Sequence, residues 1–173
     1  MREQVTAERV RALMAAFGEN LRQETSIYLV GGVSAVLSGW RESTLDIDLK
    51  IVPDSEAYGA IADLKERMSL NIELASPHDF LPPLPGWQER SVFLERHGKV
   101  SFFHFDFYSQ ALSKIERGFG RDLADVRAMV ERGLVKPRLA LDLLETIVPD
   151  LVRYPSVDPR AFRAAAGTAL GGG

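Results

Sequence analysis

Asp46 and Asp48 stand two apart in the stretch Leu45-Asp46-Ile47-Asp48-Leu49-Lys50-Ile51-Val52. Strict alternation of polar and aliphatic side chains is the period of a half-buried strand, which sends both carboxylates off one face about 7 Å apart along the chain. Lys50 continues that face. Two carboxylates side by side in a partly dry cleft repel one another unless a cation shares the site. Mg²⁺ is the natural partner, with Mn²⁺ as a substitute, because it prefers hard oxygen ligands and takes one or two carboxylates together with substrate phosphates. An isolated Asp-x-Asp is more often a solvated strand face, so the surroundings decide.

Upstream, Tyr28-Leu29-Val30 ends in Gly31-Gly32 and leads into a helix-compatible segment. A strand that breaks at two glycines and enters a helix turns backbone N–H groups outward, where an anionic phosphate fits. Ser34 adds a hydroxyl in the first helical turn. Downstream, Glu73 alternates with apolar neighbours in Leu70-Asn71-Ile72-Glu73-Leu74 and is a candidate third carboxylate, as metal ligand or general base. Asp106, at the end of the Phe-rich stretch FFHFDF, competes with it for that role.

A hydrophobic-Gly-Gly turn, thirteen intervening residues and then Asp-hydrophobic-Asp-hydrophobic resembles the signature of the nucleotidyltransferase (polymerase-beta-like) superfamily. The resemblance implies that Gly31 and Gly32 hold the nucleotide phosphates. It also implies that Asp46 and Asp48 bind the metal ions that activate the attacking hydroxyl and stabilise the leaving pyrophosphate. A third acid on the following strand is also a family feature, and Glu73 falls where it is expected.

The segment from Lys114 to Asp125, a lysine-bearing helix, a Gly118-Phe119-Gly120 break and then Arg121-Asp122-Leu123-Ala124-Asp125, resembles the AbiEii-like branch of that superfamily. Several members of that branch are toxins of toxin–antitoxin pairs. By this resemblance Lys114 would meet the triphosphate as a point charge, with Asp122, and less directly Asp125, near the same site. Asp122 and Asp125, three apart at a helix start, also suit plain cap and dipole roles with Arg117 or Arg121 as ion-pair neighbours. Gly31-Gly32 departs from the Gly-Ser that many active members carry, and the chain is shorter than the larger toxins.

The elements that must position these groups follow from periodicity. Val10, Leu13, Met14, Phe17 and Leu21 lie at helical spacing within Thr6 to Arg22. Ser26 to Val30 reads as a strand, Val33 to Ser38 as helix and Leu45 to Val52 as strand. Pro53-Asp54 then stops the chain before a helix to Met68 with Tyr58, Ile61, Ala62 and Leu64 inward. Leu70 to Ala75 is the next strand, and the proline-rich Ser76 to Trp87 is a loop that could cover a cleft. Ser91 to Glu95 and Lys99 to Phe107 flank a His97-Gly98 turn, and helices follow at Gln110 to Arg117, Asp122 to Arg132 and Pro137 to Ile147.

This order predicts an α+β nucleotidyltransferase fold: a small mixed sheet flanked by helices with a C-terminal helical cap. Residues 1–108 would form the core, 109–166 a helical part of the same domain, and 167–173, ending in three glycines, a flexible tail.

Composition narrows the classes further. The 173 residues suit one core, and 46% hydrophobic with 26% charged residues is ordinary globular usage. No apolar run is long enough for a membrane span and the first residues lack a signal-like apolar stretch, so a soluble, cytoplasmic protein is expected. With no cysteine and no paired spacing among His78, His97 and His104, a zinc site is not expected. A net charge of −3 argues against a broad basic nucleic-acid face.

The expected activity is Mg²⁺-dependent transfer of a nucleoside monophosphate from an NTP to an RNA end, such as tRNA, or to a protein hydroxyl, with a cognate antitoxin or toxin as a further partner. The alternatives are a non-catalytic nucleotide-binding or antitoxin-like module of the same fold and, on Asp48-Leu49-Lys50, a metal-dependent nuclease.

Overall fold

The computed structural model describes residues 3–171. Its chain order is α1 (Ala7–Asn20), β1 (Thr25–Val30), α2 (Gly32–Ser38), β2 (Asp46–Val52), α3 (Ala57–Met68), β3 (Asn71–Leu74), a 3₁₀ turn (Pro77–Asp79), α4 (Trp87–Arg90), β4 (Val92–His97) and β5 (Val100–His104). Then come α5 (Phe107–Arg117), α6 (Gly120–Glu131), α7 (Pro137–Ile147), a second 3₁₀ segment (Val148–Arg153) and α8 (Pro159–Gly171). The expected α+β class is what the chain adopts. Two compact units divide it: the first takes the chain up to Ser76 together with Ser91–Phe105, and the second takes Pro77–Arg90 and the chain from Asp106 onward. The proline-rich segment, assigned from sequence to the 1–108 core, therefore belongs mostly with the helices.

The first unit is built on a five-stranded mixed sheet ordered β3-β2-β1-β5-β4. β1 pairs antiparallel with β2 and parallel with β5, β2 pairs parallel with β3, and β4–β5 is the hairpin expected at His97-Gly98. Because side chains alternate along a strand, these registers sort the sheet into two faces. Ile27, Leu29, Ile47, Leu49, Ile51, Ile72, Val100 and Phe102 share one, and all are buried. Val10, Leu13, Met14 and Phe17 of α1, Val33 of α2, and Ala57, Ile61 and Leu64 of α3 complete that core. Each fully buried Leu, Ile or Phe contributes about 1.5–3 kcal/mol, so this one face supplies most of what holds the unit. The opposite face carries Asp46, Asp48 and Lys50.

Local signals account for the element ends. Thr6 caps α1, its Oγ1 accepting from the Arg9 N–H at 3.4 Å. Positive φ at Gly39 closes α2. Within α3 the inward stripe is Ala57, Ile61 and Leu64, whereas Tyr58, expected inside, is 71% exposed. The stripe starts one residue earlier than the sequence suggested, and i, i+4, i+7 spacing then carries Tyr58 and Ala62 outward.

In the second unit α5 is the central helix: every residue from Phe107 to Ile115 is buried, and α4, α6, α7 and α8 all contact it. The Tyr108 hydroxyl accepts from the Lys136 N–H at 3.0 Å, fixing the entry to α7. α8 corrects the sequence expectation of a loose tail beginning at 167. The helix runs to Gly171 with Phe162, Ala166 and Leu170 buried, and positions 172 and 173 lie outside the described residues. Alanine, the strongest helix former, outweighs Gly167 within the helix here. Among the described residues no helix is long and apolar enough to cross a membrane.

Candidate active site

β2 carries the acidic pair as its alternation requires. Ile47 and Leu49 are fully buried, while Asp46, Asp48 and Lys50 are half-buried on the other face. Parallel pairing with β3 then brings a second row alongside: Asp46 is opposite Asn71, and Asp48 is opposite Glu73. Neighbouring strands lie about 4.8 Å apart, so Glu73 is placed directly beside Asp48. On the other flank Asp48 is opposite Val30, the last residue before the glycine turn.

That turn meets the aspartates. Gly31 holds φ +67° and ψ −131°, a conformation that L side chains rarely adopt, and a Cβ built on it would lie 3.7 Å from Asp48 Oδ2. Gly32 is needed for space instead. A Cβ there would overlap Thr44 Oγ1 and stand 2.9 Å from Thr44 Cβ. Thr44 is itself fixed by two backbone bonds with Val5, at 2.7 and 3.0 Å. The two glycines thus seat the start of α2 against the segment that feeds β2.

Ser34, expected to offer its hydroxyl to a phosphate, is fully buried, and its Oγ lies 2.7 Å from His104 Nδ1. The bond ties α2 to the end of β5 inside the first unit. Burial holds His104 well below the ordinary histidine value, at about 4, so the ring is neutral at pH 7.

Asn71 was not singled out from sequence. Its Nδ2 donates to Asp46 Oδ1 at 2.5 Å and to Glu73 Oε1 at 3.2 Å, so one amide spans both acids. The signal was present: Asn71-Ile72-Glu73 repeats the polar-apolar-polar period of Asp46-Ile47-Asp48. What it lacked was the pairing partner, which only the sheet supplies.

Asp106, the competing third acid, belongs to the second unit. It is fully buried in the second unit and caps α5, accepting from the N–H groups of Tyr108 at 3.2 Å and Ser109 at 3.3 Å and from Ser109 Oγ at 2.7 Å. Arg90 clasps the same carboxylate with Nε at 3.1 Å and Nη2 at 2.8 Å. Both oxygens are engaged by a cap and a bidentate ion pair, and Glu73 is the acid in register with Asp48.

Lys114, Asp122 and Asp125 form a cluster in the second unit. The Lys114 ammonium donates to Asp125 Oδ2 at 2.8 Å and lies 3.7 Å from Asp122 Oδ1, and Arg117 Nη2 reaches Asp122 Oδ1 at 2.6 Å. Lys114 and both aspartates are buried. Phe119, not Asp122, occupies the N-cap position of α6, so the ion pairs rather than capping account for Asp122. Its second oxygen, Oδ2, is buried without a hydrogen-bond partner among the described residues.

The donor set on β2 can be judged by its chemistry. Asp46 and Asp48 present hard oxygens from one half-buried face, a set that Mg²⁺ takes together with substrate phosphates. Among the described residues no three His, Asp or Glu side chains form a group that could hold a metal ion. Two carboxylates from β2 fit a hard cation only if its other ligands come from outside the chain.

Over residues 8–166 the sequence matches the family described as nucleotidyltransferase of unknown function (DUF6036). The chain belongs to this family. No curated protein and no solved structure matches the chain.

Proposed function

We propose that this nucleotidyltransferase moves a nucleoside monophosphate from an NTP, with Mg²⁺, to an RNA end such as that of tRNA or to a protein hydroxyl. One observation carries the reading: Asp46 and Asp48 leave the same face of β2, with Gly31 against Asp48 and Glu73 in register beside it. Asp46 and Asp48 would hold the cation, whose chemistry is to neutralise charge on the transferring phosphoryl group and the departing pyrophosphate. Gly31 and Gly32 leave the turn without side chains where the triphosphate would lie. The acceptor oxygen forms a bond to the α-phosphorus, the bridging α–β P–O bond breaks, and pyrophosphate leaves with that electron pair. Glu73 receives the acceptor proton. Resemblance to the AbiEii-like branch adds Lys114, with Asp122 nearby, as a triphosphate contact, and a cognate antitoxin as partner.

Wild-type protein incubated with each α-labelled NTP and total RNA or total protein should transfer label, and Asp46→Ala should abolish the transfer while unfolding at the same temperature. Label transferred equally by Asp46→Ala overturns the assignment.

A non-catalytic nucleotide-binding module of the same fold is the second reading, favoured by the lack, among the described residues, of a three-side-chain metal group. Calorimetry separates the two. An enzyme of the first kind binds NTP only with Mg²⁺, and a binding module binds it equally without.

A further inference from the structure

We propose that Asn71 is a positioning residue for the cation site on β2, holding Asp46 and Glu73 by a single amide; this rests on the reading of that strand face as a metal site. The geometry is specific. Nδ2 carries two hydrogens, and the two acceptors it meets belong to different strands: Asp46 Oδ1 at 2.5 Å on β2 and Glu73 Oε1 at 3.2 Å on β3. Parallel pairing sets Asn71 opposite Asp46 and Glu73 opposite Asp48, so the amide is fixed by the sheet from which the acids project.

The clamp opposes the tendency of the acids to part. Like charges on neighbouring strand positions repel, and Glu73 is an exposed, long side chain with up to about 2 kcal/mol of rotamer freedom to lose. A lysine or arginine at position 71 would gather them too, but it would neutralise the charge that a cation needs. An amide donates to the same oxygens and brings no charge, so the negative potential is retained while Asp46 Oδ1 and Glu73 Oε1 are held. Asparagine is also disfavoured in strands, where β-branched and aromatic residues pack better, so its place at the start of β3 is not explained by strand formation. Groups that orient metal ligands from behind typically change affinity 10- to 100-fold when removed.

The test is Mn²⁺ binding, followed by the spin-resonance signal of the free ion and by calorimetry, on the full chain. Wild type should bind, Asp46→Ala should not, and Asn71→Ala should bind roughly 10- to 100-fold more weakly with an unchanged unfolding temperature. Asn71→Ser, which keeps one donor, should recover part of the loss. Asn71→Leu, of similar size but without donors, should bind no better than Asn71→Ala. Equal affinity in wild type and Asn71→Ala, or equal loss in Asn71→Ala and Asn71→Ser, overturns the role of Asn71 while leaving the metal site standing. A wild-type protein that binds Mn²⁺ neither alone nor with non-hydrolysable analogues of the four NTPs removes the metal site itself, and the two failures are thereby distinct.

Discussion

Ser34 Oγ and His104 Nδ1 meet at 2.7 Å in the interior of the first unit, joining the helix that follows the glycine turn to the last residue of β5. Because burial lowers the His104 value from 6.5 to about 4, the unfolded chain takes up a proton between these limits that the folded chain refuses. Stability is therefore fully present above pH 6.5 and falls as the pH drops toward 4, by on the order of 3 kcal/mol from this group. Urea unfolding at pH 7 and pH 4.5 should show the decline, and His104→Asn, which keeps a polar partner for Ser34 but does not titrate, should flatten it. An unchanged slope in His104→Asn would place the acid sensitivity elsewhere.

The two glycines of the turn should respond differently to alanine. Gly31→Ala forces a side chain to φ +67° and ψ −131°, costing about 1–3 kcal/mol, with no backbone in its way. In Gly32→Ala the new methyl meets Thr44, which its bonds to Val5 hold in place, and the overlap should cost about 1–3 kcal/mol. Thr44→Gly placed on Gly32→Ala removes the obstructing Cβ and should recover part of the loss, whereas on Gly31→Ala it should recover none. Thermal unfolding of the four variants checks this.

These contacts mark what could be read from sequence and what could not. The Asp46-Ile47-Asp48 strand and the Gly31-Gly32 turn were legible because alternation and glycine breaks are local signals. α7, from Pro137 to Ile147, was legible to the residue, since its proline fits only the first turn. Asn71 was not, because its role depends on the parallel register that sets it opposite Asp46. Ser34 faced the wrong way in the sequence reading, because its partner His104 lies seventy positions later on β5. For α8 the stripe Phe162, Ala166, Leu170 was in view at helical spacing, and the terminal glycines overshadowed it.

Arg90 and Asp106 form the clasp of the second unit, and breaking it from the arginine side should be costly. Asp106 is fully buried, and Arg90→Ala takes away the guanidinium that offsets its carboxylate charge. Losing one partner of a buried pair costs about 3–5 kcal/mol, chiefly through the uncompensated charge. Asp106→Asn removes that charge along with the pair, so the double variant Arg90→Ala/Asp106→Asn should be more stable than Arg90→Ala alone. Chemical denaturation of the set tests the order, and an Arg90→Ala protein as stable as wild type would contradict it.

Lys114 is bound to two aspartates in a buried cluster, and that arrangement allows its structural and catalytic roles to be pulled apart. Two cations, Lys114 and Arg117, face two carboxylates, Asp122 and Asp125, so the charges balance. Lys114→Met leaves the acids in excess and should destabilise by about 3–5 kcal/mol. Adding Asp125→Leu removes the orphaned charge and fills the space with apolar atoms, and such replacement of a buried pair is often neutral or better. The double variant should therefore unfold near the wild-type temperature. If Lys114 also meets the triphosphate, as its resemblance to the AbiEii-like lysine implies, that stable double variant will bind or transfer nucleotide poorly. Measured transfer at the wild-type rate in a protein of restored stability would confine Lys114 to holding α5 against α6.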